Sequence, residues 1–242
     1  MSSNSENSTV EREALPQCRR CHKLAMFCIC DSIEPIKNRT SLLLLQHPQE
    51  QDKALGTARL TALHFQDAVL KIGLSWPSLS RALGRPVHDP SRWAVLYLGS
   101  VRVGRFNTDR AIVAIDRNGQ MEIDQRGALA DIEGVVVLDG TWSQAKALWW
   151  RNPWMLKCQR VVLGARWTSR YGQLRKEPRR DGLATIEAAA IMLAGLEGRP
   201  DIETTLLASF ERMLAKYQDV QARAPELAPK PRGRRNYRRS RA

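Results

Sequence analysis

The chain has 242 residues, of which 43% are hydrophobic, and its 38 lysines and arginines outnumber 25 acidic residues, giving a net charge of +13. This hydrophobic fraction excludes wholesale disorder, and the length suits one domain or one domain with a small appendage. The charge is typical of proteins with a polyanionic partner, most often nucleic acid, but it says nothing about the fold.

The N-terminal residues 1–16 are polar and contain acidic residues, which predicts a disordered leader rather than a signal or transit peptide. The longest apolar run, 42–45, is far shorter than the ~20 residues that a membrane span needs. We therefore expect a cytoplasmic protein without a membrane partner.

Four of the five cysteines fall within residues 17–34, which we predict to form a compact zinc knuckle. They are arranged in two close pairs: Cys18 with Cys21, and Cys28 with Cys30. In a reducing compartment this spacing favours metal ligation over disulfides, and four thiolates complete the tetrahedral shell of a structural Zn²⁺. The alternative is a redox-active or incidental thiol cluster. Cys158 stands apart and is predicted to be a buried core thiol.

Apolar, strand-like runs alternate with helical segments in the main domain, predicted to span residues 35–222. The predicted strands are 41–46, 93–98, 134–138 and 160–163. The predicted helices are 57–72, 142–151, 183–196 and 202–219, with Thr141 as the N-cap of the second. Continuous apolar strands separated by helices predict an α/β fold with a mainly parallel sheet and flanking helices.

The positive charge is concentrated in two zones. Residues 151–180 contain nine basic residues and one acidic residue, and residues 230–242 contain seven basic residues and no acidic one, so the rest of the chain has a net charge of −2. The second zone lies in a Pro-, Gly- and Arg-rich end, 223–242, which we predict to be a disordered basic tail. In the first zone, arginines are interleaved with aromatic residues. Because arginine neutralises phosphate and aromatic rings stack on exposed bases, the Trp- and Arg-rich stretch 149–180 is the predicted RNA face, although some of its tryptophans are expected in the core.

Asp139 falls where the strand 134–138 ends and the next helix begins, in the segment LDGTW. Ligands of open α/β sheets bind at the carboxyl ends of the strands, so this position favours a catalytic or substrate-orienting acid. A helix cap is the alternative. Trp142 is either a core residue or a platform for a base or an adenine ring.

These motifs together resemble the DTW-domain family, the tRNA-uridine aminocarboxypropyltransferases. The namesake motif is present as Asp139, Thr141 and Trp142, and the four clustered cysteines match the family's N-terminal metal knuckle. Three further segments match in order: QHPQE at 46–50 with Thr57 after it, YGQLR at 171–175, and LATIEA at 183–188. The resemblance covers about residues 18–215 and identifies 35–222 as the DTW catalytic domain.

The resemblance implies transfer of the 3-amino-3-carboxypropyl group of S-adenosylmethionine to N3 of a uridine in tRNA, with release of 5′-methylthioadenosine. It also implies a SPOUT-related, knotted fold, and it implies no obligate protein partner. A non-catalytic zinc-containing RNA-binding protein and a SPOUT-type RNA methyltransferase are the alternatives. No G-x-G-x-x-G follows a predicted strand, so a dinucleotide-binding loop is not supported.

The resemblance also implies roles for single residues. Asp139 orients or deprotonates the uracil, with Trp142 beside it. The predicted donor-binding residues are Leu98, Gly99, Ser100, Thr141, Arg175, Thr185 and Glu187. The predicted substrate- and RNA-binding residues are His47, Glu50, Trp150, Arg166, Arg170 and Tyr171. Purely structural roles are the alternatives: a helix cap for Glu187, a satisfied strand-end residue for His47, and a plain turn at 98–100.

Overall fold

The computed structural model describes residues 16–96, 109–164, 169–171 and 182–225. The strands are β1 Ser41–Gln46, β2 Ala68–Ile72, β3 Trp93–Leu96, β4 Ile112–Ile115, β5 Gly134–Asp139 and β6 Gln159–Leu163. The helices are α1 Ala58–Leu63, α2 Leu79–Leu83, α3 Gln125–Ala130, α4 Trp142–Arg151, α5 Thr185–Glu197 and α6 Pro200–Arg223. Short 3₁₀ turns occupy Ala25–Phe27, Cys30–Ser32, Pro48–Glu50, Pro90–Arg92 and Pro153–Lys157.

The six strands form one sheet in the order β2-β1-β5-β3-β6-β4, in which only the β4–β6 pair is antiparallel. The predicted α/β class with a mainly parallel sheet is therefore confirmed. β1 and β5 are buried along their whole length, as expected for continuous apolar strands covered on both faces.

Alternate residues of the central strands pack against two different helical layers. Leu42 and Val135 belong to the core that includes α5 and α6, whereas Leu43 and Val136 belong to the core that includes α2 and α4. Cys158 lies in the second core, where burial raises its pKa to about 12, so its prediction as a buried thiol is confirmed.

The elements meet at the carboxyl edge of the two central strands. The parallel register places Gln46, the last residue of β1, opposite Asp139, the last residue of β5. α4 then begins with a capping box in which the Thr141 hydroxyl accepts from the Gln144 N–H and the Gln144 side chain accepts from the Thr141 N–H, so Thr141 is the N-cap as predicted. Gly198, at φ +66°, ends α5 in the left-handed conformation and allows α6 to fold back.

The predicted helix 57–72 is wrong in its second half. The helix ends at Leu63 and is followed by β2, which pairs with β1 on one side only. β2 is half-exposed, so its sequence AVLKI lacks the continuous apolar signal of the central strands. The sequence also did not predict β4, α2 and α3.

The implied knot stays a prediction, because the connections after β3 and β6 include residues outside those described. Most of the predicted leader and most of the predicted tail also lie outside the described ranges. Within those ranges, none of the helices combines the length and hydrophobicity needed to cross a membrane.

Candidate active site

Asp139 presents a buried carboxylate, 9% exposed, at the carboxyl edge of the sheet. Its Oδ2 accepts a hydrogen bond from Gln46 Nε2 at 2.8 Å, and its Oδ1 accepts one from the hydroxyl of Thr185. Gln46 reaches it across the β1–β5 register, and Thr185 reaches it from the first position of α5. Because Thr141 is the N-cap of α4, Asp139 is not required for that function, and neutral donors from two other elements hold it instead.

Lys23 approaches the same region from the cysteine-rich segment. Its Nζ donates to the carbonyl oxygens of Ala54 and Gly56, the latter at 2.8 Å. Burial lowers the pKa of Lys23 to about 8, although the nearby charges of Cys21 and Asp139 act in the opposite direction. The ammonium group of Lys23 and the carboxylate of Asp139 therefore influence each other across the site.

The backbone of residues 54–56 is held by hydrogen bonds to its three successive carbonyl oxygens. While Lys23 binds the first and third, the hydroxyl of Tyr171 donates to the carbonyl of Leu55 at 2.8 Å. The next residue, Thr57, is the N-cap of α1, and its hydroxyl accepts from the Ile186 N–H at 3.3 Å. These bonds fix the start of α1 against the start of α5.

A cavity of about 280 Å³ opens between the cysteine-rich segment and the residues that follow β1. Lys23 and Gln46 line it, and both also interact with Asp139. Its other charged or titratable lining side chains are Cys21, His22, Glu50, Asp52, Lys53 and Arg59. The cavity therefore adjoins Asp139 and has a mixed but mainly cationic lining.

The four clustered cysteines come together as predicted. Their Sγ atoms all lie within 4.8 Å of one another. In a tetrahedral zinc site with Zn–S bonds of about 2.3 Å the sulfurs lie about 3.8 Å apart, so this cluster fits such an ion. Backbone N–H groups lower the pKa of Cys18 to about 6, whereas burial raises the pKa of Cys30. These four thiols could therefore hold a metal ion.

Glu187 is also buried, with 2% exposed, but its contacts are mainly to the backbone. Oε1 accepts from the Arg170 N–H at 2.7 Å, and Oε2 accepts from the Ala184 N–H at 2.7 Å and from the Ser169 hydroxyl at 3.0 Å. The carboxylate thereby joins residues 169–171 to the start of α5. These contacts match the helix-cap alternative for Glu187.

Other predicted site residues are dispersed around this edge. Nδ1 of His47 accepts from the Gln49 N–H at 3.2 Å and caps the turn that follows β1, and Glu50 is buried in an ion pair with Lys53. Trp142, the first residue of α4, is half-buried.

In the predicted RNA face, the aromatic side chains differ sharply in exposure. Trp150 is 78% exposed, whereas Trp154 and Tyr171 are buried. Arg170 forms an exposed ion pair with Glu211 of α6. Leu98, Gly99, Ser100, Arg166 and Arg175 lie outside the described residues, so their predicted roles stay predictions.

The sequence interpretation did not select Gln46, Lys23 or Thr57 as site residues. Gln46 had a signal: a polar residue ending an apolar strand next to the strand that ends in Asp139. Thr57 had only its spacing from the 46–50 segment. Lys23 had no local signal, since its position depends on how the cysteine-rich segment folds onto the sheet.

Comparison with known proteins shows which protein family the chain matches. Residues 15–218 match the family model for the DTW domain. Proteins named tRNA-uridine aminocarboxypropyltransferase 2 from Macaca fascicularis and Mus musculus are each 28% identical, over 79% and 81% of this chain. The protein of that name from Drosophila melanogaster is 29% identical over 84% of this chain and 74% of its own length.

The chain spans about 60% of the length of the macaque and mouse relatives. No solved structure matches the chain significantly.

Proposed function

The chain belongs to the DTW domain family, and we propose that it transfers the 3-amino-3-carboxypropyl group of S-adenosylmethionine to N3 of a uridine in tRNA. The observation that carries the proposal is the Asp139 carboxylate of the family's namesake motif, buried beside a cavity and held by neutral donors. The names of the relatives support a tRNA uridine as the acceptor and an aminocarboxypropyl group as the group transferred.

The reaction exchanges one bond for another. A bond forms between uridine N3 and Cγ of the donor's methionine side chain, while the bond from Cγ to the sulfonium sulfur breaks and its electron pair stays on sulfur. The products are the substituted uridine, neutral 5′-methylthioadenosine and the proton that leaves N3. The donor supplies an activated carbon when bound, so the protein must supply orientation and an acceptor for that proton.

Asp139 is the proposed acceptor of the N3 proton. Gln46 and Thr185 fix its side chain from both oxygens, so the carboxylate is oriented before the substrate arrives. A positioned carboxylate that binds the N3–H group also aligns N3 with the donor carbon. The amino end of α5 lies beside it, and the positive end of that helix dipole favours the negative donor carboxylate.

The cysteine cluster is proposed to hold a structural Zn²⁺. Cys18, Cys21, Cys28 and Cys30 would occupy all four tetrahedral positions, leaving none for substrate. The ion would hold the segment that carries Lys23 against the sheet, which connects the metal to the site through structure rather than chemistry.

The remaining assignments also belong to this proposal. The cationic zones at 151–180 and 230–242 would bind the phosphates of tRNA, and the protein would act in the cytoplasm. Exposed Trp150, directly before the first zone, would stack on a base of the RNA.

The test is incubation of the purified chain with S-adenosylmethionine and tRNA that lacks the modification. Mass spectrometry of the digested RNA should show one aminocarboxypropyl group gained on uridine and 5′-methylthioadenosine released. Gain of a methyl group alone would instead identify a methyltransferase. Tight binding without any gain of mass would identify a non-catalytic RNA-binding protein.

A further inference from the structure

The reaction proposed for Asp139 does not by itself assign a ligand to the cavity between the cysteine-rich segment and the residues after β1. This cavity is bounded by Lys23 on one side and by Gln46 and Glu50 on the other. Its volume of about 280 Å³ exceeds the space that a single nucleobase needs. It also adjoins the proposed proton acceptor, because Gln46 both lines the cavity and donates to Asp139.

Lys23 retains a donor for a ligand in this cavity. An ammonium group has three N–H donors, and two of them bind the carbonyl oxygens of Ala54 and Gly56. Within the part of the chain that the structure describes, the third has no hydrogen-bond partner. Because Lys23 is half-buried and lines the cavity, this third N–H is available to an acceptor on a ligand there.

The edge formed by these residues has a defined hydrogen-bonding pattern. Lys23 offers an N–H donor, Asp139 offers an acceptor, and the Gln46 amide has a second N–H besides the one bound to Asp139. Together these groups offer two donors and one acceptor. The Watson–Crick edge of uracil has the complementary set, since its N3–H donor lies between two carbonyl acceptors.

The alternative ligand for Lys23 is the carboxylate of the donor's methionine group. A carboxylate bound to Lys23 would lie near the Asp139 carboxylate, whose charge acts on Lys23, and the two anions would repel each other. A neutral base with carbonyl oxygens meets no such repulsion. Arg59, which lines the cavity and forms no ion pair among the described residues, remains for the phosphate of the same nucleotide.

We propose that this cavity is the subsite for the target uracil, with Lys23 donating to one of the two carbonyl oxygens that flank N3. The proposal rests on the proposed function for the identity of the base. It places the reacting base near the cysteine-rich segment, whereas the aromatic and arginine-rich zone at 151–180 would hold other parts of the tRNA.

The first test examines the variants Lys23→Met and Lys23→Arg. The control is Lys37→Met, which removes one positive charge, as Lys23→Met does, but at an exposed position before the amino end of β1. Zinc content and S-adenosylmethionine affinity should stay within about twofold of the unaltered chain in all three variants. Lys23→Met should lower kcat/KM for tRNA about 100-fold, and Lys23→Arg should recover about tenfold of that loss. Unchanged kcat/KM in Lys23→Met, or a parallel loss of donor affinity, would overturn the proposal.

The second test does not depend on transfer. A tRNA transcript with 4-thiouridine in place of uridine is bound to the full chain and cross-linked with near-ultraviolet light. The cross-linked peptides should include residues 17–27 or 46–59, and cross-links confined to 149–171 would contradict the uracil subsite. Cross-links at the cavity without any transfer would leave the subsite standing and refute the proposed function. Transfer without cavity cross-links, and with a normal Lys23→Met variant, would refute the subsite alone.

Discussion

Asp139 and Glu187 are two of the buried carboxylates at the carboxyl edge of this sheet, and their surroundings differ. Glu187 accepts hydrogen bonds from two backbone N–H groups and one hydroxyl, all within 18 residues along the chain. Asp139 accepts from the side chains of Gln46 and Thr185, which come from elements far apart in sequence. One carboxylate completes local structure, and the other is held by side chains beside a cavity.

This difference distinguishes a carboxylate with a structural role, here called the structural acid, from one that takes part in the reaction, here called the chemical acid. A carboxylate bound to backbone N–H groups is fixed in place, because those donors cannot move away without unfolding the local chain. A carboxylate bound to a hydroxyl and an amide can keep its orientation while it gains a proton, because both side chains can reorient. Burial alone does not distinguish the two, since both residues are almost fully enclosed.

The largest expected effect follows from replacing the chemical acid. Asp139→Asn should lower the single-turnover rate of aminocarboxypropyl transfer about 10³-fold, because the amide cannot accept the N3 proton. Its shape allows the contacts with Gln46 and Thr185 to persist, so the thermal midpoint should change little. The rate is measured by mass spectrometry of the RNA, with S-adenosylmethionine affinity determined by calorimetry. Transfer within tenfold of the unaltered chain would show that Asp139 only packs at this edge.

Removal of the metal should disturb the surroundings of Asp139 more than those of Glu187, because the cysteine-rich segment carries Lys23. A Cys18→Ser, Cys21→Ser double variant should lose bound zinc, and its free energy of unfolding should fall by roughly 3 kcal/mol. Zinc is measured by plasma mass spectrometry and stability by urea unfolding. Cys158→Ser is the matched control. Cys158 is buried outside the cluster, so the zinc content of this variant should be unchanged. Stoichiometric zinc in the double variant would disprove the four-cysteine site.

Replacing the structural acid should mainly affect stability. Glu187→Gln leaves an amide N–H group facing a backbone donor, so the free energy of unfolding should fall by about 1–3 kcal/mol. The transfer rate per folded molecule should remain within a few-fold. Glu34→Gln, at an exposed position, serves as the control in the same urea titration. Normal stability with lost transfer would reverse the assignment of the two carboxylates.

The smallest effect concerns acid stability and separates unfolding from loss of chemistry at low pH. Burial lowers the pKa of His64, whose ring nitrogens lie 2.8 Å from the Leu60 carbonyl and the Ser209 hydroxyl. The unfolded chain therefore binds more protons, and stability should fall as the pH drops below about 6.5, by at most about 1.4 kcal/mol per pH unit.

A series of urea titrations between neutral pH and mildly acidic pH measures this slope. His64→Gln retains groups that can pair with Leu60 and Ser209, so it should flatten the dependence. The same slope in both proteins would show that His64 is not its source. If the transfer rate falls more with pH than the folded fraction does, the excess is due to titration within the active site.

The sequence predicts the buried centre of this fold better than its margins. β1 and β5 are continuous apolar runs, and the polar residue that ends β5 is enough to mark Asp139 as a candidate site residue. The edge strand β2 has only half-buried side chains, so its weak pattern predicts a helix instead. Lys23 could not be predicted, because its role depends on long-range hydrogen bonds to Ala54 and Gly56. Local patterns describe strands and caps, whereas the site depends on contacts between distant segments.

The most direct test of the role of Asp139 compares Asp139→Asn and Glu187→Gln side by side in one single-turnover transfer assay, with each rate divided by the folded fraction of that variant. We predict a rate for Glu187→Gln close to that of the unaltered chain and a rate for Asp139→Asn about 10³-fold lower. Equal rates for the two variants would contradict the assignment of Asp139 as the acid that takes the proton from uridine N3.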